Sequence, residues 1–159
     1  MQTRIQIAGK RYDEERALYG LRGAQVCDCN FSGPADGESV LKECRDFSVE
    51  DCTFSLRYPV WHAQRFQLSR CSMDEKTRAP IWYAQDGKIE QCTIRGVKCL
   101  RECERIAVEN SHIVSAEFGW KCRAITVVNT EITSEYLFLD SQALTIDRLH
   151  LTGKYSFQY

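Results

Sequence analysis

The chain has 159 residues, and its 21 Lys and Arg residues nearly balance its 22 Asp and Glu residues. This length fits one domain with a sizeable core, and the balanced charge gives no reason to expect a nucleic-acid or membrane-surface partner. No apolar run approaches the ~20 residues that span a bilayer. Residues 1–7 lack the apolar stretch and cleavage site of a signal peptide, so we expect a cytoplasmic protein.

Residues 1–20 are predicted to form an N-terminal cap and a first strand, ahead of a solenoid that occupies residues 21–159 of the same domain. An acidic run at Asp13, Glu14 and Glu15 precedes Arg16. We interpret this run as part of the cap, because the open end of a solenoid has to be covered. A solvated acidic turn is the alternative.

A repeated unit follows, and it reads apolar-x-apolar-x-x-small-x-apolar. Successive copies begin 19 to 23 residues apart. The seven copies are Ala24/Val26/Cys29/Phe31, Phe47/Val49/Cys52/Phe54, Phe66/Leu68/Cys71/Met73, Gly87/Ile89/Cys92/Ile94, Ile106/Val108/Ser111/Ile113, Ile125/Val127/Thr130/Ile132 and Leu144/Ile146/Leu149/Leu151.

Each copy predicts a short half-buried strand, because apolar-x-apolar is an alternation of period two. A unit of about 20 residues suits a leucine-rich repeat or a coil of a β-helix. Leucine-rich repeats carry several leucines and an Asn in each unit, whereas this chain has Val, Ile, Phe and Cys, which favour strand. We therefore predict an all-β fold, a right-handed single-stranded parallel β-helix of about seven coils. The handedness follows from the general preference of parallel crossovers.

The nine cysteines are predicted to be reduced thiols that pack inside the rod. Four of them share one repeat position, and three more fall in a second inward column three residues before each repeat. Small apolar side chains stacked ~4.8 Å apart fill such an interior. A metal site needs several thiolates that converge on one point, so we expect no metal and no cofactor. The two columns contain Cys29, Cys52, Cys71 and Cys92, and Cys44, Cys103 and Cys122.

Candidate binding residues fall on the remaining face, where all three tryptophans share one repeat position. If this column is exposed, it forms an aromatic row suited to a ligand such as a sugar. Burial under a loop or at a corner, and a protein–protein surface, are the alternatives. The candidate ligand-binding residues are Trp61, Trp82, Trp120, Lys42 and Arg101 in this column, Tyr83 in the column that follows it, and Arg57 and Arg78, which lie four residues before Trp61 and Trp82.

Catalytic candidates are weaker, and they are Glu102, His62 and Glu43. Glycosidases use two carboxyl groups roughly 5–10 Å apart. Glu43 and Glu102 are three coils apart, about 14 Å at strand spacing, whereas Glu102 and Asp140 are two coils apart, about 10 Å. His62 beside either glutamate would suit an acid–base pair, and a hydrogen-bonded surface histidine is the simpler interpretation.

A turn-rich segment at residues 33–38 accounts for the longest spacing between copies. Its structural interpretation is an inserted loop, and the functional alternative is a binding lip beside the aromatic residues.

Six further motifs lie outside the core positions of the repeat. They are residues 12–20 (YDEERALYG), 33–38 (GPADGE), 56–62 (LRYPVWH), 81–83 (IWY), 116–120 (AEFGW) and 153–159 (GKYSFQY). With these motifs the chain resembles an uncharacterised bacterial family, domain of unknown function 3737. The resemblance covers nearly the whole chain from about Tyr12, and it implies a β-helix of the pectin-lyase-like kind without implying an activity.

Family members carry further coils, whereas this chain stops at Tyr159 inside its eighth turn without a recognisable cap. An uncapped end presents unpaired strand edges, which predicts either a longer natural chain or an end-to-end homodimer.

Three functional hypotheses remain open. The first is a protein that binds a carbohydrate or small polar ligand along the aromatic residues, the second is a structural or protein-interaction module, and the third is a sugar-active enzyme that uses Glu102 and His62.

Overall fold

The computed structural model describes residues 5–33 and 38–158, which form strands joined by turns and bends. The strands are β1 Ile5–Ala8, β2 Arg11–Tyr12, β3 Ala24–Cys27, β4 Asn30–Ser32, β5 Arg45–Glu50, β6 Thr53–Ser55, β7 Val60–Trp61, β8 Gln64–Ser69, β9 Ser72–Met73, β10 Ile81–Trp82, β11 Gln85–Glu90, β12 Thr93–Ile94, β13 Cys99–Arg101, β14 Glu104–Glu109, β15 His112–Val114, β16 Glu117–Trp120, β17 Arg123–Leu139 and β18 Gln142–Ser156.

The strands stack into a parallel β-solenoid with three faces, which confirms the predicted fold class. On the first face, β8 pairs with β5 on one side and β11 on the other, in the register given by the sequence repeat. The second face contains short strands such as β6 and β9, and the third face contains β7, β10, β13 and β16. The right-handed winding stays a prediction.

The solenoid has about eight turns, one more than the number of repeat copies. The additional turn begins at β1, because Ile5 to Ala8 pair in register with Ala24 to Cys27. Farther along the same turn, the Leu18 amide donates a hydrogen bond to the Val40 carbonyl. Residues 34–37 of the turn-rich segment, which include most of the proposed lip, lie outside the described residues.

The core is a continuous stack of inward side chains, as the repeat predicts. Eight of the nine cysteines are buried, Cys27 is half-buried, and all nine are free. The Sγ of Cys44 lies 3.0 Å from the Leu18 carbonyl oxygen, and the Sγ of Cys122 lies 3.0 Å from the Leu100 carbonyl oxygen. The thiols therefore serve as small core side chains that also donate weak hydrogen bonds to the backbone.

The corners of the coils use left-handed backbone, and this explains the non-apolar residues between faces. Within one coil, His62, Arg65 and Arg70 have φ of 56°, 51° and 51°. Equivalent residues of the neighbouring coils repeat this pattern. A left-handed conformation is unfavourable for most side chains, and Asn and Asp adopt it more readily than others.

One corner carries a column of alternating charges, which we name the charge column: Asp46, Arg65, Asp86 and Arg105. The Nε of Arg65 donates to Oδ1 of Asp46 at 2.6 Å, and its Nη2 donates to Oδ2 at 3.2 Å. Arg105 and Asp86 make the same two bonds at the same lengths. The column therefore joins adjacent coils in pairs. No helix of the described residues is long and apolar enough to cross a membrane.

Candidate functional site

The third face places five candidate side chains in a single stack, which we name the aromatic column: Lys42, Trp61, Trp82, Arg101 and Trp120. Strand register aligns Trp61 with Trp82, Trp82 with Arg101, and Arg101 with Trp120. The rings of Trp61 and Trp82 are 5.2 Å apart and nearly parallel, at 6°. Lys42 Nζ lies 4.2 Å from the Trp61 ring, and the guanidinium of Arg101 lies between Trp82 and Trp120, at 5.6 and 4.3 Å.

This stacking changes how the tryptophans can contact a ligand. The sequence suggested a flat platform of exposed rings, whereas the two faces of Trp82 are turned toward Trp61 and Arg101. The three tryptophans are half-buried, so their edges rather than their faces are available. Stacking with cations on both sides makes the column a rigid wall along the third face.

Three polar atoms of this wall are buried without a hydrogen-bond partner. They are Nε1 of Trp61, Nε1 of Trp82 and Nε of Arg101. The ring of Tyr58 packs against both indoles, at 5.9 Å from Trp61 and 5.8 Å from Trp82. An unsatisfied buried donor costs ~1–3 kcal/mol, so three of them in one stack require an explanation.

A pocket of about 190 Å³ lies next to the aromatic column, and we name it the corner pocket. Its charged, amide and ring side chains come from four consecutive coils, which strand pairing holds at fixed spacing. It is lined by Glu43, Arg45, His62, Gln64, Tyr83, Gln85 and Glu102.

Four of these residues occupy the left-handed corner that follows the third face. Glu43, His62, Tyr83 and Glu102 have φ of 61°, 56°, 52° and 50°. None of them is Gly, Asn or Asp, the residues that accept this conformation most easily. The same conformation occurs at the other corners of the solenoid, for example at Arg65 and Arg105, so it is a property of the coil rather than a mark of function.

The electrostatics of the pocket link Tyr83 to Glu102. Hydrogen bonding to the Glu102 carboxylate, with partial desolvation, raises the pKa of Tyr83. The His62 ring lies 5.1 Å from the Tyr83 ring, tilted by 45°. The pocket therefore offers carboxylate acceptors, amide groups that donate and accept, and ring edges on one small surface.

The structure brings most of the sequence candidates together, with two exceptions. Lys42, Trp61, Trp82, Arg101 and Trp120 form the aromatic column, and His62, Tyr83, Glu43 and Glu102 line the corner pocket.

Arg57 and Arg78 lie on the preceding segment of their coils, before the left-handed residues Tyr58 and Ala79. Both are exposed and do not line the corner pocket, and Arg57 forms an ion pair with Glu38 at 3.4 Å.

Sequence reasoning missed four residues of this region. Arg45, Gln64 and Gln85 share one repeat position, so their recurrence two residues after the corner was an available signal. Tyr58 gave no such signal, because Ala79 and Lys98 occupy the equivalent positions.

Glu43 and Glu102 are too far apart to act together as a glycosidase pair. Glu43 and Glu102 stand at the two ends of a four-coil column, about 14 Å apart at strand spacing, whereas hydrolysis uses carboxyl groups roughly 5–10 Å apart. Among residues 5–33 and 38–158, no group of three or more His, Cys, Asp or Glu side chains is placed to hold a metal ion.

A larger groove of about 550 Å³ runs along another corner, near Asn110, Asn129, His112 and Glu131. Its polar groups bind one another: Asn129 Nδ2 donates to Asn110 Oδ1 at 2.7 Å, and His112 Nδ1 lies 3.6 Å from Glu131 Oε2. The corner pocket is the better candidate site despite its smaller volume, because it adjoins a wall with unsatisfied donors.

Comparison with known proteins identifies the family. The family model described as "Protein of unknown function (DUF3737)" matches residues 5–159, and the chain belongs to this family. The match extends over the first turn, the aromatic column and the corner pocket. A search of the curated proteins finds no match.

Proposed function

We propose that the protein binds a carbohydrate or a similar polyhydroxylated ligand in the corner pocket. The observation that carries the proposal is the convergence of two carboxylates, two amides, an arginine and two rings from four consecutive coils on one pocket. Hydroxyl groups donate and accept at the same time, so they pair best with a mixture of acceptors and donors. Because strand pairing fixes the spacing of these side chains, little ordering is required on binding.

The two parts of the region have different roles in this proposal. Carboxylates of Glu43 and Glu102 accept from ligand hydroxyls, and Gln64 and Gln85 donate and accept between them. The aromatic column forms the adjoining wall and holds the corner residues in place. The ring edges of His62 and Tyr83 contribute the apolar contact that sugar C–H groups favour.

The test is calorimetric titration of the full chain with neutral and acidic oligosaccharides, combined with thermal unfolding. A ligand at one hundred times its Kd stabilises the fold by about 2.7 kcal/mol. The double variant Gln64→Ala/Gln85→Ala should lose most of this binding. Its matched control is Gln67→Ala/Gln91→Ala, which removes the same side chains elsewhere on the rod. Equal binding by both double variants, or no binding by the wild type, would refute the proposal.

The proposed location of this binding protein is the cytoplasm. All nine cysteines are free, including neighbours in one inward column such as Cys71 and Cys92. Free thiols persist in a reducing compartment, where disulfides are rare.

A further inference from the structure

The three unpartnered donors of the aromatic column belong to consecutive coils. Trp61, Trp82 and Arg101 are in register on β7, β10 and β13, so their side chains follow one another along the rod. Each has a buried N–H without a well-formed hydrogen bond, although the Trp82 indole interacts with the neighbouring Tyr83 hydroxyl and acts to lower the pKa of that group. Since buried donors are nearly always satisfied in folded proteins, such a row indicates a missing acceptor.

A single side chain covers the two indoles of this row. Tyr58 contacts both rings at an angle of about 50° (54° to Trp61 and 49° to Trp82). Its own backbone is left-handed, with φ of 53°, and it lies between β6 and β7. Movement of this one half-buried ring would expose more of both indoles.

The charge around the row selects an anion. Lys42 stacks on one end and the Arg101 guanidinium closes the other, and both side chains only donate hydrogen bonds. The ring centroids of Trp61 and Trp82 are 5.2 Å apart, so donors of neighbouring coils are close enough to serve one ligand group that carries more than one oxygen. Bonds to an ionised acceptor are also the stronger kind.

We infer that the edge of the aromatic column beneath Tyr58 is an oxyanion subsite, which takes a carboxylate or sulfate group of the ligand. This inference rests on the proposed function, because the subsite extends the corner pocket. Each donor directly precedes a pocket residue in the chain: Trp61 precedes His62, Trp82 precedes Tyr83, and Arg101 precedes Glu102. A ligand that fills the pocket with its hydroxyl groups therefore places an acidic substituent over the column, and Tyr58 moves aside.

The experiment compares three forms of one glucose oligosaccharide by calorimetry on the full chain: the neutral form, the C6-oxidised carboxylate form and the O-sulfated form. The wild type should bind one or both anionic forms at least about tenfold more tightly than the neutral form, which corresponds to about 1.4 kcal/mol. Trp82→Phe keeps a ring in the column and removes one donor, so it should weaken binding of the anionic forms more than binding of the neutral form and thereby reduce this preference. Arg101→Gln should do the same. Arg65→Gln, which removes an equal charge from the charge column, should keep the preference.

A further variant tests the cover. Tyr58→Ala should tighten binding of the anionic form relative to the neutral form, because the donors are then open. Thermal unfolding of each variant establishes that it is folded before binding is compared. Equal binding of neutral and anionic forms by the wild type would overturn the oxyanion subsite and leave the proposed function intact. Retention of the full preference in both Trp82→Phe and Arg101→Gln would also overturn it, and failure of all three forms to bind would overturn both proposals.

Discussion

The charge column and the aromatic column pass along the same coils, but they differ in whether their polar groups are hydrogen-bonded within the chain. In the charge column each arginine makes two hydrogen bonds to an aspartate one coil away, with both side chains 40–54% exposed. In the aromatic column the stacked groups are half-buried, and three N–H donors lack a partner. The polar groups of the charge column are hydrogen-bonded to one another, whereas the N–H donors of the aromatic column have no comparable bonds.

This difference separates a column that joins adjacent coils from a column that, in our proposal, adjoins a binding site. Two arginine–aspartate pairs with matched geometry align adjacent coils and have little capacity left for a ligand. A stack that buries unsatisfied donors beside a polar pocket is stable only because the rest of the solenoid holds it there, which is typical of sites that bind. Side chains that repeat along the solenoid can therefore align the coils in one column and contribute to a proposed binding site in another.

The largest effect should come from removing the centre of the aromatic column. Trp82→Ala deletes the stack on Trp61, the contact with Arg101 and the packing of Tyr58. Because the indole is half-buried, we expect a loss of about 2–3 kcal/mol in the free energy of unfolding, below that of a fully buried tryptophan. Chemical denaturation measures it. Asp86→Ala is the counterpart in the charge column and should cost much less, since exposed ion pairs contribute little. Equal losses would remove the distinction between the columns.

A second pair of variants compares backbone strain at the two corners. His62→Gly relieves a left-handed histidine and should raise the free energy of unfolding by about 1 kcal/mol or less, after the greater freedom of glycine in the unfolded chain is subtracted. Asp46→Gly should give no such gain, because aspartate tolerates this backbone and its bonds to Arg65 are lost. Denaturation midpoints with oligosaccharide titrations would show whether His62→Gly is more stable and binds less. A His62→Gly variant that is clearly destabilised would contradict the strain argument.

Much of the fold follows from the sequence, because one side-chain period repeats through the chain. Val, Ile and Cys at the inward positions specify strand and core together, and this does not depend on their side-chain torsions. The first turn is harder to recognise because Ile5, Ile7 and Tyr12 match the unit while Lys10 occupies its small position. That mismatch explains why seven copies were found where the structure has about eight turns.

The candidate site was predictable only in part. Spacing places Trp61, Trp82 and Trp120 in one column, because column membership depends on register alone. Whether the rings stack on one another or face solvent depends on side-chain torsions, which the repeat does not determine. Tyr58 lies outside any recurring aromatic position, so its contact with the indoles appears only in three dimensions.

A smaller effect is expected from acidifying the charge column. The hydrogen bond and charge of Arg105 lower the pKa of Asp86 below its usual 3.8. A depressed folded-state pKa stabilises the fold fully above the unfolded value, and this contribution disappears as pH falls through the folded value. Thermal unfolding of wild type and Asp86→Asn between pH 3 and about 7 should therefore differ slightly near neutrality and converge at the acidic end. A difference that grows on acidification would contradict this sign, and high salt should also reduce it.

The smallest effect concerns Tyr83. A neighbouring carboxylate raises the pKa of Tyr83, whereas a neighbouring arginine lowers the pKa of Asp86. Hydrogen bonding to the Glu102 carboxylate raises the pKa of Tyr83 above its usual 10.0, and desolvation adds to it. A raised folded-state pKa stabilises the fold below the unfolded value, and the contribution is lost as pH rises through the folded one, so nothing changes near neutrality. Glu102→Gln should let the pKa of Tyr83 fall toward 10.0, as followed by NMR titration of labelled tyrosines with Tyr83→Phe for assignment. Asp86→Asn, in the charge column, should leave this titration unchanged. If Glu102→Gln also leaves it unchanged, the two groups are not linked in solution, and the hydroxyl of Tyr83 is free to meet a ligand without first leaving Glu102.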